Sequence, residues 1–101
     1  MKIKYISNHE LKRQIRTIAN QHLDLDRYKL FFFGSRVRGD NFETADIDIG
    51  VQGIEPLSVT KKLALIEDLE KLPILYKIDV VDFARVSEKF KRQALMNIEL
   101  I

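Results

Sequence analysis

Cysteine is absent from the sequence, so neither a disulfide nor a thiolate metal site can contribute to its fold. No apolar stretch approaches the roughly 20 residues that span a bilayer, and the N-terminus lacks a signal-peptide h-region. No internal repeat, low-complexity tract or linker interrupts the chain. An excess of one charge is also missing: 17 Lys and Arg stand against 15 Asp and Glu, for a net charge of +2. A dedicated nucleic-acid binder is normally more basic and more clustered. Direct nucleic-acid binding and membrane association are therefore not expected, and the cytoplasm is the default location. At 101 residues the chain is expected to form one domain, 1–101, with a single modest core and no room for a second.

What is present centres on Phe31-Phe32-Phe33-Gly34-Ser35-Arg36-Val37-Arg38-Gly39-Asp40, followed by Asp46-Ile47-Asp48-Ile49-Gly50-Val51. Side chains alternate along a strand, so Asp46 and Asp48 share one face while Ile47, Ile49 and Val51 share the other. Two like charges at i and i+2 repel unless a cation lies between them. Hard oxygen ligands of this kind suit Mg²⁺ or Mn²⁺. A solvated edge strand bearing two aspartates is the plain alternative.

The preceding turn shifts that balance. Gly34 allows a sharp turn or a close ligand approach, and Ser35 to Arg38 read as the first turn of a short helix. Free N–H groups at such a start suit a phosphate, Ser35 adds a hydroxyl, and Arg36 and Arg38 offer guanidinium groups. The alternative for either arginine is an exposed charge with no role. The stretch is not a Walker A loop, lacking its Gly-Lys-Ser/Thr ending, nor a dinucleotide fingerprint, since the glycine spacing differs.

Gly34-Ser35-Arg36-Val37-Arg38-Gly39 followed by Ala45-Asp46-Ile47-Asp48 resembles the signature of the polymerase beta-type nucleotidyltransferases. Within them it is most similar to the minimal nucleotidyltransferases that pair with HEPN-domain toxins. The family's third carboxylate corresponds to Asp79 in Lys77-Ile78-Asp79-Val80-Val81-Asp82-Phe83. Many members carry serine before the first aspartate where this chain has Ala45, which by parity points away from the carboxylates. The resemblance implies an enzyme in which Asp46, Asp48 and Asp79 are catalytic metal ligands for two Mg²⁺ (or Mn²⁺) ions. It also implies that Gly34, Ser35, Arg36 and Arg38 hold ATP, and that AMP passes to a tyrosine of a HEPN toxin, which silences it. Homodimerisation or a complex with the toxin is expected. Two alternatives stay open: an antitoxin that acts by binding alone, and a subunit of a small-molecule nucleotidyltransferase.

Around this centre, Ser7 and Glu10 read as a capping box opening a helix, with Ile6 and Leu11 as its staple and a stripe of Leu11, Ile15, Ile18, Ala19 and His22. His9 and His22 have no partner at metal-ligand spacing and read as structural. The apolar run from Tyr28 to Phe33 suits a strand buried on both faces, and Asp46 to Gln52 a second strand. On that second strand Gly50 either admits a ligand or tolerates twist. A helix over about Leu57 to Leu72 ends at Pro73, and Lys77 to Phe83 form a third strand. There Asp79 shares a face with Val81 and Phe83, an acid in an apolar row, and Asp82, on the opposite face, reads as solvated. The last helix starts near Ser87, and two stripes (Phe90, Ala94, Ile98 and Ile101; Met96 and Leu100) suggest that something covers it. The predicted fold is α/β (α+β), polymerase beta-like: a small mixed sheet of three main strands, with helices on one side and the N-terminal segment as a candidate extension.

Overall fold

Each of the three longer helices begins on a serine whose hydroxyl accepts a free backbone N–H of the first turn: Ser7 from Glu10, Ser58 from Lys61 and Ser87 from Phe90, all at 3.1 Å. The computed structural model describes residues 1–101. In order the elements are α1 (Asn8–Ala19), β1 (Tyr28–Phe33), α2 (Ser35–Arg38), β2 (Ile47–Gly53), α3 (Val59–Leu69), β3 (Ile78–Asp82), α4 (Glu88–Ala94) and β4 (Glu99–Leu100). The capping box at α1 is half made. Ser7 caps as expected, but the Glu10 carboxylate turns along the helix to Arg13 and Gln14. No helix is long and apolar enough to cross a membrane.

The sheet runs β3-β2-β1-β4 and is mixed: β2 is antiparallel to β1 and parallel to β3, and β4 is antiparallel to β1. Period-2 alternation gives it two distinct faces. Leu30, Phe32, Ile47, Ile49, Val51, Ile78 and Val80 point to one face, against Leu11, Ile15 and Ala19 of α1 and Leu65 and Leu69 of α3. Between those helices, His22 Nε2 lies 2.6 Å from Asp68 Oδ2, so His22 ties α1 to α3. That contact, with Lys71 beside it, holds the Asp68 carboxyl below its ordinary range.

Phe31, Phe33 and Phe83 form a smaller cluster on the other face, packed edge to face at centroid distances of 4.9 to 6.2 Å. Here α4 and the residues after it lie, with Ala94, Leu95 and Ile98 on the cluster. Helices thus flank both faces, the longer pair on one and α4 on the other. Gly50 belongs to this second face, but no ligand reaches it: a Cβ there would overlap the Phe31 ring and press on Phe83. The phenylalanines, not a ligand, require the glycine.

Two expectations about the chain's ends change. The predicted last helix stops at Ala94, and Glu99 and Leu100 return as β4, opposite Phe32 and Phe31. Ile101 N donates to Leu30 O at 3.1 Å, which satisfies an edge that would otherwise be open. The N-terminal segment adds no strand; Met1, Ile3 and Ile6 pack on the main core instead. Glu99 holds the two ends together. It lies 2.7 Å from the Met1 nitrogen and 3.1 Å from Lys12 Nζ. Burial pushes its carboxyl up, but these cations win and keep it below the ordinary range.

Candidate active site

β1 ends at Phe33, and the next residue turns the chain out of the sheet. Gly34 has φ 81° and ψ −161°, a conformation that strains any side chain. A Cβ at Gly34 would also overlap Asp48 Oδ2. The backbone of the turn therefore runs directly against the Asp48 carboxylate. Ser35 to Arg38 then make a single helical turn, closed by Gly39 at φ 86°, whose N–H donates to Ser35 O at 2.9 Å.

Strand register places the acids. Asp48 is opposite Phe33 on β1 and opposite Asp79 on β3, so it sits between the Gly34 turn on one side and Asp79 on the other. Asp46, just before β2, is exposed, as is Asp79, while Asp48 is half-buried. Burial first, then the Asp79 and Asp46 carboxylates, push the Asp48 carboxyl up to about 6, and Arg38 opposes them. The parity argument from sequence put Asp79 on the face of Val81 and Phe83, and it lies there. It is not an inward acid, however, because that face is open at this end.

Between the Gly34 turn, the two paired acids and α4 lies a cleft of about 490 Å³, within the range of small-ligand sites. Gly34, Ser35, Arg38, Asp48 and Asp79 line one part, and Val81, Phe90, Gln93 and Ala94 another. Asp46 is not in its wall, though it is close enough to act on Asp48 electrostatically. Arg38 is half exposed, with Nε 3.3 Å from Asp40 Oδ2. A separate hollow of about 380 Å³ near Arg16 and Leu100 carries no carboxylate pair.

Arg36 departs from its expected place among the phosphate-holding groups, and from the alternative of an idle surface charge. It is 4% exposed. Its guanidinium donates to Ala45 O at 2.8 Å, Glu43 O at 2.7 Å and Lys2 O at 3.2 Å, and lies 4.2 Å from the Tyr76 ring centroid. It fastens the loop that delivers Asp46. Asp82 likewise is not solvated. It is 3% exposed, and its carboxylate accepts from Leu57 N at 2.8 Å and Ala84 N at 3.0 Å. Sequence reasoning missed Gln93 and gave Phe90 only a packing role. The signal was available in Glu88-Lys89-Phe90-Lys91-Arg92-Gln93-Ala94, where the only three uncharged residues fall at i, i+3 and i+4.

No three acidic or histidine side chains converge closely enough to cage an ion by themselves. That suits Mg²⁺, which usually keeps waters and takes one or two carboxylates plus substrate phosphates. The donor set is hard oxygen, and the mutual repulsion recorded at Asp48 is the kind a cation relieves. The residues fit such an ion bound together with a polyphosphate, opposite the turn that carries Ser35 and Arg38.

Residues 9–101 match the family described as Polymerase beta, Nucleotidyltransferase. The chain is 31% identical over 64 residues to "Probable protein adenylyltransferase MntA" of Haemophilus influenzae. That match takes in 63% of this chain but 56% of the relative, so the chain spans little more than half the relative's length. Among solved structures it is similar to a chain of a toxin–antitoxin complex with AMP-PNP, with TM-score 0.72 and 20% identity over 88% of this chain and 70% of that one. It is also similar to a chain of the tri-AMPylated Shewanella oneidensis HEPN toxin in complex with MNT antitoxin, with TM-score 0.71 and 18% identity over 93% and 71%. At these identities the structural likenesses establish the fold.

Proposed function

The chain belongs to the polymerase beta nucleotidyltransferase family, and from that premise we propose that it transfers AMP from ATP to a tyrosine hydroxyl of a partner HEPN toxin, and so acts as an antitoxin. The observation that carries the reading is the register Phe33–Asp48–Asp79, which sets two carboxylates beside the Gly34 turn across one cleft. The acceptor is drawn from the tri-AMPylated HEPN toxin of the similar complex, and the nucleotide from the complex with AMP-PNP.

In this reading the N–H groups and hydroxyl of the Ser35 turn hold the β- and γ-phosphates, and Arg38 neutralises their charge. Asp48 and Asp79, with Asp46 beside Asp48, would hold Mg²⁺ together with the substrate phosphates. Bound there with ATP, Mg²⁺ supplies the positive charge that offsets the developing negative charge on phosphorus and leaving group. The tyrosine oxygen forms a bond to the α-phosphorus, the bond from that phosphorus to the bridging oxygen breaks, and pyrophosphate leaves. An Asp79 carboxylate oxygen takes the phenolic proton. The setting is the cytoplasm, and the working form is a complex with the toxin, alone or as a dimer.

The test is to incubate a HEPN toxin with this protein, ATP and Mg²⁺ and to weigh the toxin by intact-mass spectrometry. Mass gains in whole AMP units that vanish with Asp46→Asn support transfer. Neutralisation without a mass change, with Asp46→Asn protecting equally well, refutes it in favour of an antitoxin that acts by binding alone.

A further inference from the structure

We propose that α4 carries the base subsite of the cleft, with the Phe90 ring as a stacking platform and the Gln93 amide reading the edge of an adenine. The inference rests on the nucleotide reading above and adds what that reading leaves open, namely which part of the chain recognises the base. α4 is a charged helix with no buried residue of its own. Its three uncharged residues, Phe90, Gln93 and Ala94, are the three that line the cleft, while Glu88, Lys89, Lys91 and Arg92 do not.

Packing alone accounts for this poorly. Ala94 rests on the Phe31–Phe33–Phe83 cluster, but Phe90 stays 41% exposed although its ring meets two rings of that cluster. Its centroid is 6.1 Å from Phe33 at 86° and 5.9 Å from Phe83 at 54°. The ring is thus fixed in orientation while part of it remains on the cleft wall. Gln93, one turn further along, is exposed and its amide has no hydrogen-bond partner in the chain. A fixed aromatic ring and an uncommitted amide, at the uncharged part of a cleft whose other part is carboxylate and guanidinium, match a nucleotide with its base on α4 and its phosphates at Ser35.

The amide selects among bases. It offers one acceptor and one donor side by side, which adenine meets on its N7 edge, with N6–H and N7. The corresponding edge of guanine, O6 and N7, presents two acceptors and leaves the amide oxygen unpaired. Stacking on Phe90 is indifferent to base identity, so Phe90 governs affinity and Gln93 governs choice.

The experiment measures binding by calorimetry with Mg²⁺ and either ATP, GTP or inorganic triphosphate, on the full chain. Triphosphate reports only the Ser35 and carboxylate part of the cleft. Phe90→Leu, which keeps apolar bulk and removes the π-face, is expected to weaken ATP roughly 5- to 10-fold and to leave triphosphate unchanged. Gln93→Leu is expected to bring ATP and GTP to nearly equal affinity, again with triphosphate unchanged. Equal losses for ATP and triphosphate, or unchanged ATP binding in both variants, overturn the base subsite. Wild-type protein that binds triphosphate as tightly as ATP overturns it too and leaves the nucleotidyltransferase reading standing. Wild-type protein that binds neither overturns the reading beneath it.

Discussion

Asp48→Asn should stabilise the free protein at neutral pH while destroying its ability to hold a metal–nucleotide complex. The Asp48 carboxyl titrates near 6 instead of its ordinary 3.8 because it is half-buried and crowded by Asp79 and Asp46. A native pKa above the unfolded one means that the folded state binds the extra proton. The associated stability is full below about pH 4 and is lost as pH rises through about 6. A displacement of that size corresponds to at most ~3 kcal/mol, and solvent screening at a half-open site reduces it to ~1–2 kcal/mol. The amide removes the repulsion without removing the side chain, so in EDTA near pH ~7.5 the variant should melt roughly 5–10 °C above wild type. Near pH ~4.5, where the wild-type carboxyl is already protonated, the gap should close. Other carboxyls pull the opposite way: Asp68 and Glu99 sit below their ordinary range, so their stabilisation is lost as pH falls. Taking the difference between variant and wild type at each pH cancels them. With ATP and Mg²⁺ the order should invert, since ligand raises the melting temperature of wild type alone. Thermal melts at the two pH values are the assay. A variant no more stable than wild type at neutral pH, or a gap that does not change with pH, would refute the electrostatic account of the site.

Gly34→Ala should cost ~1–3 kcal/mol from backbone strain at positive φ and displace the Asp48 carboxylate that the new methyl overlaps; calorimetry should find ATP–Mg²⁺ binding lost while circular dichroism stays native. Arg36→Met strips the partners from the Ala45, Glu43 and Lys2 carbonyls, so denaturant titration should show a loss of ~2–4 kcal/mol, with Arg36→Lys failing to restore it because an ammonium cannot span the same fork of acceptors. Asp82→Asn keeps its size but gives up the charge that receives the Leu57 and Ala84 N–H groups, and a fall of ~1–3 kcal/mol in the same titration, with nucleotide binding retained, should separate it from Asp46 and Asp48.

Period-2 and period-3.6 patterns were enough to identify most of the fold. Alternation in Ile47-Asp48-Ile49 fixed the two faces of β2, and Ser7 and Ser87 marked two helix starts that the chain uses, while the cap at Ser58 was not read. The C-terminal residues were misread because Met96 and Leu100 are spaced for a helical stripe at i, i+4 and equally, with Ile98 between them, for an alternating strand. What decides between them is the unpaired edge of β1, to which Glu99 and Leu100 bond. That edge lies some 70 residues earlier in the chain, and no local pattern reports it.

The same distinction separates the site residues that were legible from those that were not. Parity states which face a side chain takes, and it was right for Asp48, Asp79 and Asp82. It does not state how deep that face lies, because depth is set by what packs across it. Asp79 and Asp82 lie three residues apart, on opposite faces of one strand, with opposite fates: α4 leaves the end of one face open over Asp79, while Leu57, arriving before α3, brings its N–H onto Asp82 and closes the other. Arg36 follows the same logic. Its neighbour Arg38 remains in the cleft, whereas Arg36 meets three carbonyls and the Tyr76 ring from segments that only the folded chain brings together. A charged side chain can be buried there because its donors have acceptors on more than one side. The result is a division of labour between two arginines separated by one residue, with Arg36 bracing the loop that ends at Asp46 and Arg38, held only by an exposed pair with Asp40, lining the cleft.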